Sequence, residues 1–388
     1  MSRATKIKLT IVLTAAFFIL LAFALFDYSY VLVALTILAL SSLLVWSLIS
    51  SNPTYFTGRA DFRLKRFSLR LKKHLDSTST VFIMGHKYSD LDSLGAAYGL
   101  YFVLRSKYNV KLVANKQNTL ARPLVDFLRF SDEGCEIYSF EEIKHLIDED
   151  SLLIVVDTHR PSIMDYKELY DRVKKVIIID HHLKSEEFAS KAIDHYIQTT
   201  ASSVCEIVTA LLGILKVKKI ETIAATALFS GIMLDTKNFV MNTRSNTFSA
   251  ASYLRKFRAD PVLIKKMFSE TVEVCKRKYE IVSSVSLYQN CAFAKTMAED
   301  PYTRISTAQA ADELLTINGV LASFVMCPSE NKINISARSY GDLNVQRIMA
   351  RLGGGGHKTA AACQINAKTF EQAELMLKAA IDEYIKER

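Results

Sequence analysis

The 388-residue sequence predicts an α/β protein behind an N-terminal two-helix transmembrane hairpin, its soluble part divided between a parallel-sheet domain and a smaller α/β domain. Three observations carry this. Two long uncharged apolar runs open the chain. Short β-branched runs then alternate with amphipathic stretches, the pattern of a largely parallel sheet. Finally, "STVFIMG", "SLLIVVD" and "KKVIIID" each end in a glycine or an aspartate, where ligands of open α/β sheets gather.

The apolar runs span 9–26 and 30–49, each long enough to cross a bilayer, with only Asp27, Tyr28 and Ser29 between them. A cleaved signal peptide does not fit, because the first run is too long for a signal core and a second follows at once. Arg3, Lys6 and Lys8 flank one end of the hairpin. Arg59, Arg63, Lys65, Arg66, Arg70, Lys72 and Lys73 flank the other, so both ends read as cytoplasmic and the protein as a multi-pass protein of the cell membrane. The basic stretch "GRADFRLKRFSLRLKKHL" contributes much of the net charge of +9 and suits anionic lipid headgroups. The six cysteines are far apart and form no CxxC pair, which reads as reduced core residues.

This gives a hairpin over 1–50, a basic juxtamembrane linker over 51–77, a catalytic domain over 78–270 and a second domain over 271–388. In the first soluble domain "NVKLVAN" is a further strand, and 94–106, 203–215 and 221–234 have helical periodicity. A charged helical connector follows "RADP". Beyond it, "NCAFAKTM", "GVLASFVMCP" and "KINISARSY" read as strands, ahead of a glycine cluster and a helix over 370–386.

The chemistry lies at the strand ends. His86, Asp90 and Asp92 follow the first run, Asp157 ends "LLIVVD", Asp180, His181 and His182 end "VIIID", and Asp235 ends the helical "GIML". A parallel sheet sets such ends side by side. One aspartate at a strand end is usually a helix cap or turn former. Together they would repel one another unless cations neutralised them, and mixed imidazole and carboxylate donors suit two divalent transition metals, Mn²⁺ first, with Co²⁺ or Mg²⁺ as alternatives. Two such metals activate water and steady both oxygens of an in-line phosphoryl displacement, so phosphodiester hydrolysis is expected. His145 and His195 fall outside this set. Ser202 and Ser203 ahead of Glu206 read as an N-cap with an acidic first turn.

"HKYSDLDS" at 86–93, "VVDTHRP" at 155–161, "DHH" at 180–182, "GIMLDTKNF" at 231–239 and "GGGGHKTAAA" at 353–362 together resemble the DHH phosphoesterase superfamily with its DHH-associated domain, over about residues 78–388. Within it the sequence is similar to membrane-bound GdpP-type cyclic di-AMP phosphodiesterases. The resemblance implies that His86, Asp90 and Asp157 hold one Mn²⁺ and that Asp92, Asp157, His181 and Asp235 hold a second. Asp180 would orient this set and His182 would reach a phosphate oxygen at the scissile bond. Arg338, Ser339, Asn344, Gly353, Gly354, Gly355, Gly356 and His357 would bind substrate, with the active site in a cleft between the domains. His159 and Arg160 are further candidates for phosphate contact.

GdpP-type proteins place a PAS-like sensor and a degenerate GGDEF domain behind their hairpin; about thirty residues join Ile49 to the first strand here, too few for either. The expected reaction opens cyclic di-AMP to pApA. The alternatives are hydrolysis of short linear oligonucleotides such as pApA to AMP, and a non-catalytic nucleotide-binding membrane protein. A homodimer is implied by the resemblance, and no long nucleic acid is expected, since no aromatic, basic stacking stretch is evident.

Overall fold

The computed structural model describes residues 59–387 apart from 132–134, 218, 301–302 and 330–331, together with 38, 39, 41 and 42. The expected transmembrane hairpin lies outside the described residues save those four. Among the described residues no helix is long and apolar enough to cross a membrane.

Two units form. The first takes the described residues up to Leu234 with Thr243–Ala259, and the second takes Asp235–Asn242 with the chain from Asp260 onward. The basic linker is itself a helix, α1 (Arg59–Leu75). Leu64, Phe67, Leu71 and Leu75 recur at three and four residue spacing and are buried on the first unit, while Arg63, Lys65, Arg66, Lys72 and Lys73 face solvent. Arg70 anchors the helix with two hydrogen bonds to the Asp194 carboxylate.

The first sheet contains β1 (Val81–Met84), β2 (Val110–Val113), β3 (Ile137–Tyr138), β4 (Leu152–Val156), β5 (Lys175–Asp180) and β6 (Ala192–Ile197), in the order β3-β2-β1-β4-β5-β6. Every pairing is parallel. All residues of β1 and β4 are buried, which is why they are unbroken apolar runs rather than alternating ones. The order runs outward in both directions from β1 and β4, so the topological switch point lies between these two strands. Helices α2 (Leu91–Leu104), α3 (Arg122–Ser131), α4 (Phe140–Ile143), α5 (Lys167–Arg172), α6 (Val204–Ile214), α7 (Thr222–Asp235) and α8 (Ser245–Lys256) complete the unit.

In the second unit the charged connector is two helices, α9 (Pro261–Met267) and α10 (Val272–Ser283), because the Thr271 hydroxyl caps a fresh start by accepting from the Val274 amide. The sheet of β7 (Ser286–Tyr288), β8 (Cys291–Lys295), β9 (Ala322–Ser329), β10 (Lys332–Ser339), β11 (Gly355–Gly356) and β12 (Ala360–Ile365) runs β11-β12-β10-β9-β8-β7. It is antiparallel except for β8 and β9, joined through α11 (Thr303–Leu314). Helices α12 (Val345–Arg351) and α13 (Phe370–Lys386) pack on one face with Ile333, Ile335 and Ala337. On the other face α10 and α11 cover β8 and β9.

Candidate metal centre

His86 leaves β1, and Asp157 leaves β4, on the two strands that flank the switch point. The His86 Nδ1 is bound to the carbonyl of Lys87 at 2.7 Å, which fixes the ring and turns Nε2 to Asp157 Oδ2 at 3.2 Å. Asp157 is 3% exposed and holds φ +64, a left-handed conformation that a non-glycine residue adopts only under constraint. Its Oδ1 lies 3.4 Å from His181 Nε2 and 3.6 Å from His182 Nδ1, yet this buried oxygen has no hydrogen-bond partner among the described residues.

Asp90 caps α2, its Oδ1 accepting from the amides of Asp92 and Ser93 at 2.9 and 3.0 Å. The cap reading and the ligand reading coexist, for ligand atoms of His86, Asp90 and Asp157 all fall within 4.8 Å of one another, as do those of Asp157, His181 and His182. Asp92 is fully buried. Its Oδ2 accepts from the Val204 amide at 2.8 Å and its Oδ1 from Cys205 at 2.9 Å, so it terminates α6 from 112 residues away, and His181 Nε2 is 3.9 Å distant. Helix α7 closes on it: a Cβ on Gly231 would fall 2.7 Å from the Asp92 Cα, so only glycine lets the helix come this near. Asp235 is the last residue of α7, one turn past Gly231 on the same helix face.

Asp180 is completely buried and joins two histidines. Its Oδ1 accepts from His182 Nδ1 at 2.8 Å and from the amides of His181 and His182, and its Oδ2 pairs with His159 Nδ1 at 2.6 Å. His159 is 1% exposed and its Nε2 is engaged by Ser185, so burial removes it from phosphate contact and makes it a support for Asp180. Arg160 is exposed beside Glu187. The sequence pattern does not reveal the Asp92 bonds to the start of α6 or the Asp180 bond to His159, since their partners are distant in the chain. His145 and His195 are exposed and apart from the cluster, and Ser203 caps α6 as its sequence suggests, accepting from the Glu206 amide.

The charges are unbalanced. Two carboxylates about 4 Å apart repel by about 4 kcal/mol at the effective dielectric of a protein. Burial, then the charge on Asp157, raises Asp92 to about 7 and also raises Asp90. Burial alone would lower His86, but the hydrogen bond to Asp157 and the charges of Asp157 and Asp90 outweigh it and lift His86 to about 9. For Asp157 burial is likewise outweighed, by His181 and His86, and its carboxyl is held low. The Asp180 carboxyl is also lowered, its burial overcome by His182 and His159, while the bond to Asp180 raises His182. A field that draws a proton onto His86 draws a cation equally. The orphaned Asp157 Oδ1 among imidazole and carboxylate donors fits a divalent metal.

In the second unit Arg338 lies beside Asp312 at 3.4 Å. Ser339 is 1% exposed and its hydroxyl donates to the Leu343 carbonyl at 2.6 Å, so it shapes a turn rather than offering itself to a ligand. Asn344 caps α12, its Oδ1 accepting from the Arg347 amide. The glycine run leads into β11, and His357 follows it, exposed. A Cβ on Gly354 would meet the Ala362 carbonyl oxygen at 2.3 Å, whereas one on Gly355 would meet nothing within 4 Å among the described residues.

The chain belongs to the DHH family: residues 80–232 match the model of the DHH family, N-terminal domain, and residues 289–387 that of the DHHA1 domain. Within that class it is similar to particular proteins. It is 41% identical over 333 residues to the cyclic-di-AMP phosphodiesterase GdpP of Geobacillus thermodenitrificans, covering 84% of this chain and 51% of that protein. To the cyclic-di-AMP phosphodiesterase PdeA of Listeria monocytogenes it is 38% identical over 335 residues, with the same coverages of 84% and 51%. The chain thus spans about half the length of these curated relatives. An exopolyphosphatase-related protein from Bacteroides fragilis superposes with a TM-score of 0.68 at 22% identity, over 82% of this chain and 96% of that one, which shows the shared fold.

Proposed function

We propose that this protein is a membrane-anchored, two-metal phosphodiesterase that opens cyclic di-AMP to pApA. The observation that carries the chemistry is the buried Asp157, whose Oδ1 has no hydrogen-bond partner among the described residues and lies between imidazoles while its Oδ2 meets His86. His86, Asp90 and Asp157 would hold one divalent cation, and Asp92, Asp157 and His181 with Asp235 the other, Mn²⁺ being our first choice. When bound, such metals supply Lewis-acid activation of water and charge neutralisation at phosphorus.

The chain's own residues then have distinct tasks. Asp180 accepts from His182 Nδ1 and so fixes the ring, whose side chain is 47% exposed and open to a phosphate oxygen. His159 holds the other oxygen of Asp180. The buried Asp92 ties the α6 N-terminus to the cluster, so its carboxylate is stiffened by main chain rather than by a mobile side chain. Arg338, Asn344, the glycine run and His357 would bind the dinucleotide, with Ser339 setting the turn between them.

The choice of cyclic di-AMP is supported by the named activities of the relatives at 41% and 38% identity. Membrane anchoring is supported by the two uncharged apolar runs and by the solvent-facing cations of α1 that follow them. We also propose that the protein forms a homodimer. Incubating the full chain in detergent with Mn²⁺ and, separately, cyclic di-AMP, cyclic di-GMP, pApA and pGpG tests the reading. Conversion of cyclic di-AMP to pApA is expected. AMP released from pApA alone, with the cyclic compound intact, would move the protein to the clearance of short linear oligonucleotides, and no turnover of any would refute both.

A further inference from the structure

Among the described residues of the second unit, part of the sheet has no helix packed over it. Along β10 the side chains alternate: Ile333, Ile335 and Ala337 are buried under α12 and α13, while Lys332, Asn334, Ser336 and Arg338 turn to the opposite face. On that face α10 and α11 pack over β8 and β9. A cavity of about 470 Å³ remains over β10 and β12, walled by Arg304 and Thr307 of α11 on one side and by the glycine run on the other. A second hollow of about 270 Å³ adjoins it, sharing Arg304, Asn334 and Gln364.

The lining is chemically lopsided. Asn334 and Gln364 are directly opposed across the β10 and β12 ladder, so two amides, each with a donor and an acceptor, lie side by side on the floor. Next along the ladder comes the small pair Ser336 and Ala362, which leaves a shelf. Arg304 and Lys332 supply two cations, neither with a carboxylate partner among the described residues, and no Asp or Glu is among the described residues that line this cavity. Only the adjoining hollow has acids, and there Asp300 is engaged by Arg277 at 2.9 Å. The volume lies within the roughly 300–1,000 Å³ of small-molecule sites. A flat polar edge over paired amides, with a phosphate between an arginine and a lysine, satisfies every group.

We propose that this groove is a nucleoside-phosphate site, with the phosphate on Arg304 and Lys332 and the base edge on Asn334 and Gln364. It stands on the geometry of the second unit alone and does not depend on the metal cluster. The guest is a free nucleotide, held by the second unit alone.

The test is calorimetric titration of 5′-AMP into the full chain stripped of metal by chelator, beside three variants. Arg304→Glu combined with Lys332→Glu is expected to weaken binding at least tenfold, and Asn334→Leu severalfold, while Asp157→Asn leaves it unchanged. The two cations are exposed, so their reversal preserves the fold. Binding of equal strength in wild type and charge reversal, or no saturable binding to wild type, would overturn the proposal. Loss in Asp157→Asn alone would place the nucleotide at the metal cluster, overturning this inference while leaving the proposed reaction standing. Groove binding without turnover of any dinucleotide would do the reverse. Given groove binding, an unchanged KM for the dinucleotide in the charge-reversed variant is expected, and a raised KM would overturn the assignment of the groove to a free nucleotide.

Discussion

The two units hold their polar groups in opposite ways. In the first, Asp92, Asp157 and Asp180 are buried at most 3% exposed, anchored by main-chain amides or histidines, and their charges exceed what the protein itself neutralises. In the second, Lys332, Asn334, Gln364 and the glycine run line an open face, and the excess charge is positive. Chemistry on a phosphodiester needs donors whose positions are fixed before the substrate arrives, and burial provides that at the cost of repulsion. Recognition of a polyanion needs reach and access. The contrast suggests that substitutions in the first unit act on rate and metal affinity, and those in the second on substrate affinity or local stability.

The sharpest way to break the comparison is Asp157→Asn. Asparagine tolerates the left-handed backbone at φ +64, so the fold should survive while kcat falls by ~10³-fold or more, a loss of several kcal/mol of transition-state stabilisation. An intact rate in a purified sample would refute the cluster's role. One step further out, His159→Leu removes the support of Asp180 Oδ2 without touching the expected ligands. It should lower kcat by ~10–100-fold with little change in KM; a raised KM at unchanged kcat would show instead that His159 meets substrate.

In the second unit two adjacent glycines give opposite expectations. Gly354→Ala forces a Cβ into the Ala362 carbonyl oxygen and should cost about 1–3 kcal/mol by denaturant unfolding. Gly355→Ala meets open space and should stay within about 0.5 kcal/mol of wild type. Equal effects would mean that the loop is not laid flat on β12.

The smallest effect is a pH dependence. In chelator, Asp92, raised from 3.8 to about 7, and His86, raised from 6.5 to about 9, keep protons in the fold that the unfolded chain has released. Their contribution to stability is therefore lost as pH rises through about 7 and about 9 respectively. Bound metal would replace both protons, so the gain in Tm on adding Mn²⁺ should grow from about pH 6 to about pH 8.5. A gain independent of pH would contradict the raised values.

Much of this was legible in the sequence because buried parallel strands are written as unbroken apolar runs: the runs ending at Met84, Val156 and Asp180 are β1, β4 and β5. The switch point between β1 and β4 then accounts for the gathering of His86 and Asp157. What escaped was set by partners distant in sequence. Strand β12 is "AAACQI", a run without β-branched residues until its end, and it is extended because β10 pairs with it along its length. The dual service of Asp92 at the α6 N-terminus and the burial of His159 both arise from tertiary contacts, which no local spacing encodes. The linker's helix was hidden by its charge, although Leu64, Phe67, Leu71 and Leu75 carry a helical stripe.

The central claim is that the buried cluster of the first unit holds two divalent cations. Equilibrium dialysis of the full chain against Mn²⁺, followed by elemental analysis, tests it most directly. We expect close to two ions per chain, and a loss of both high-affinity sites in Asp157→Asn because that carboxylate is shared. Retention of no Mn²⁺ by the wild type, or the same stoichiometry and affinity in the variant, would contradict the account.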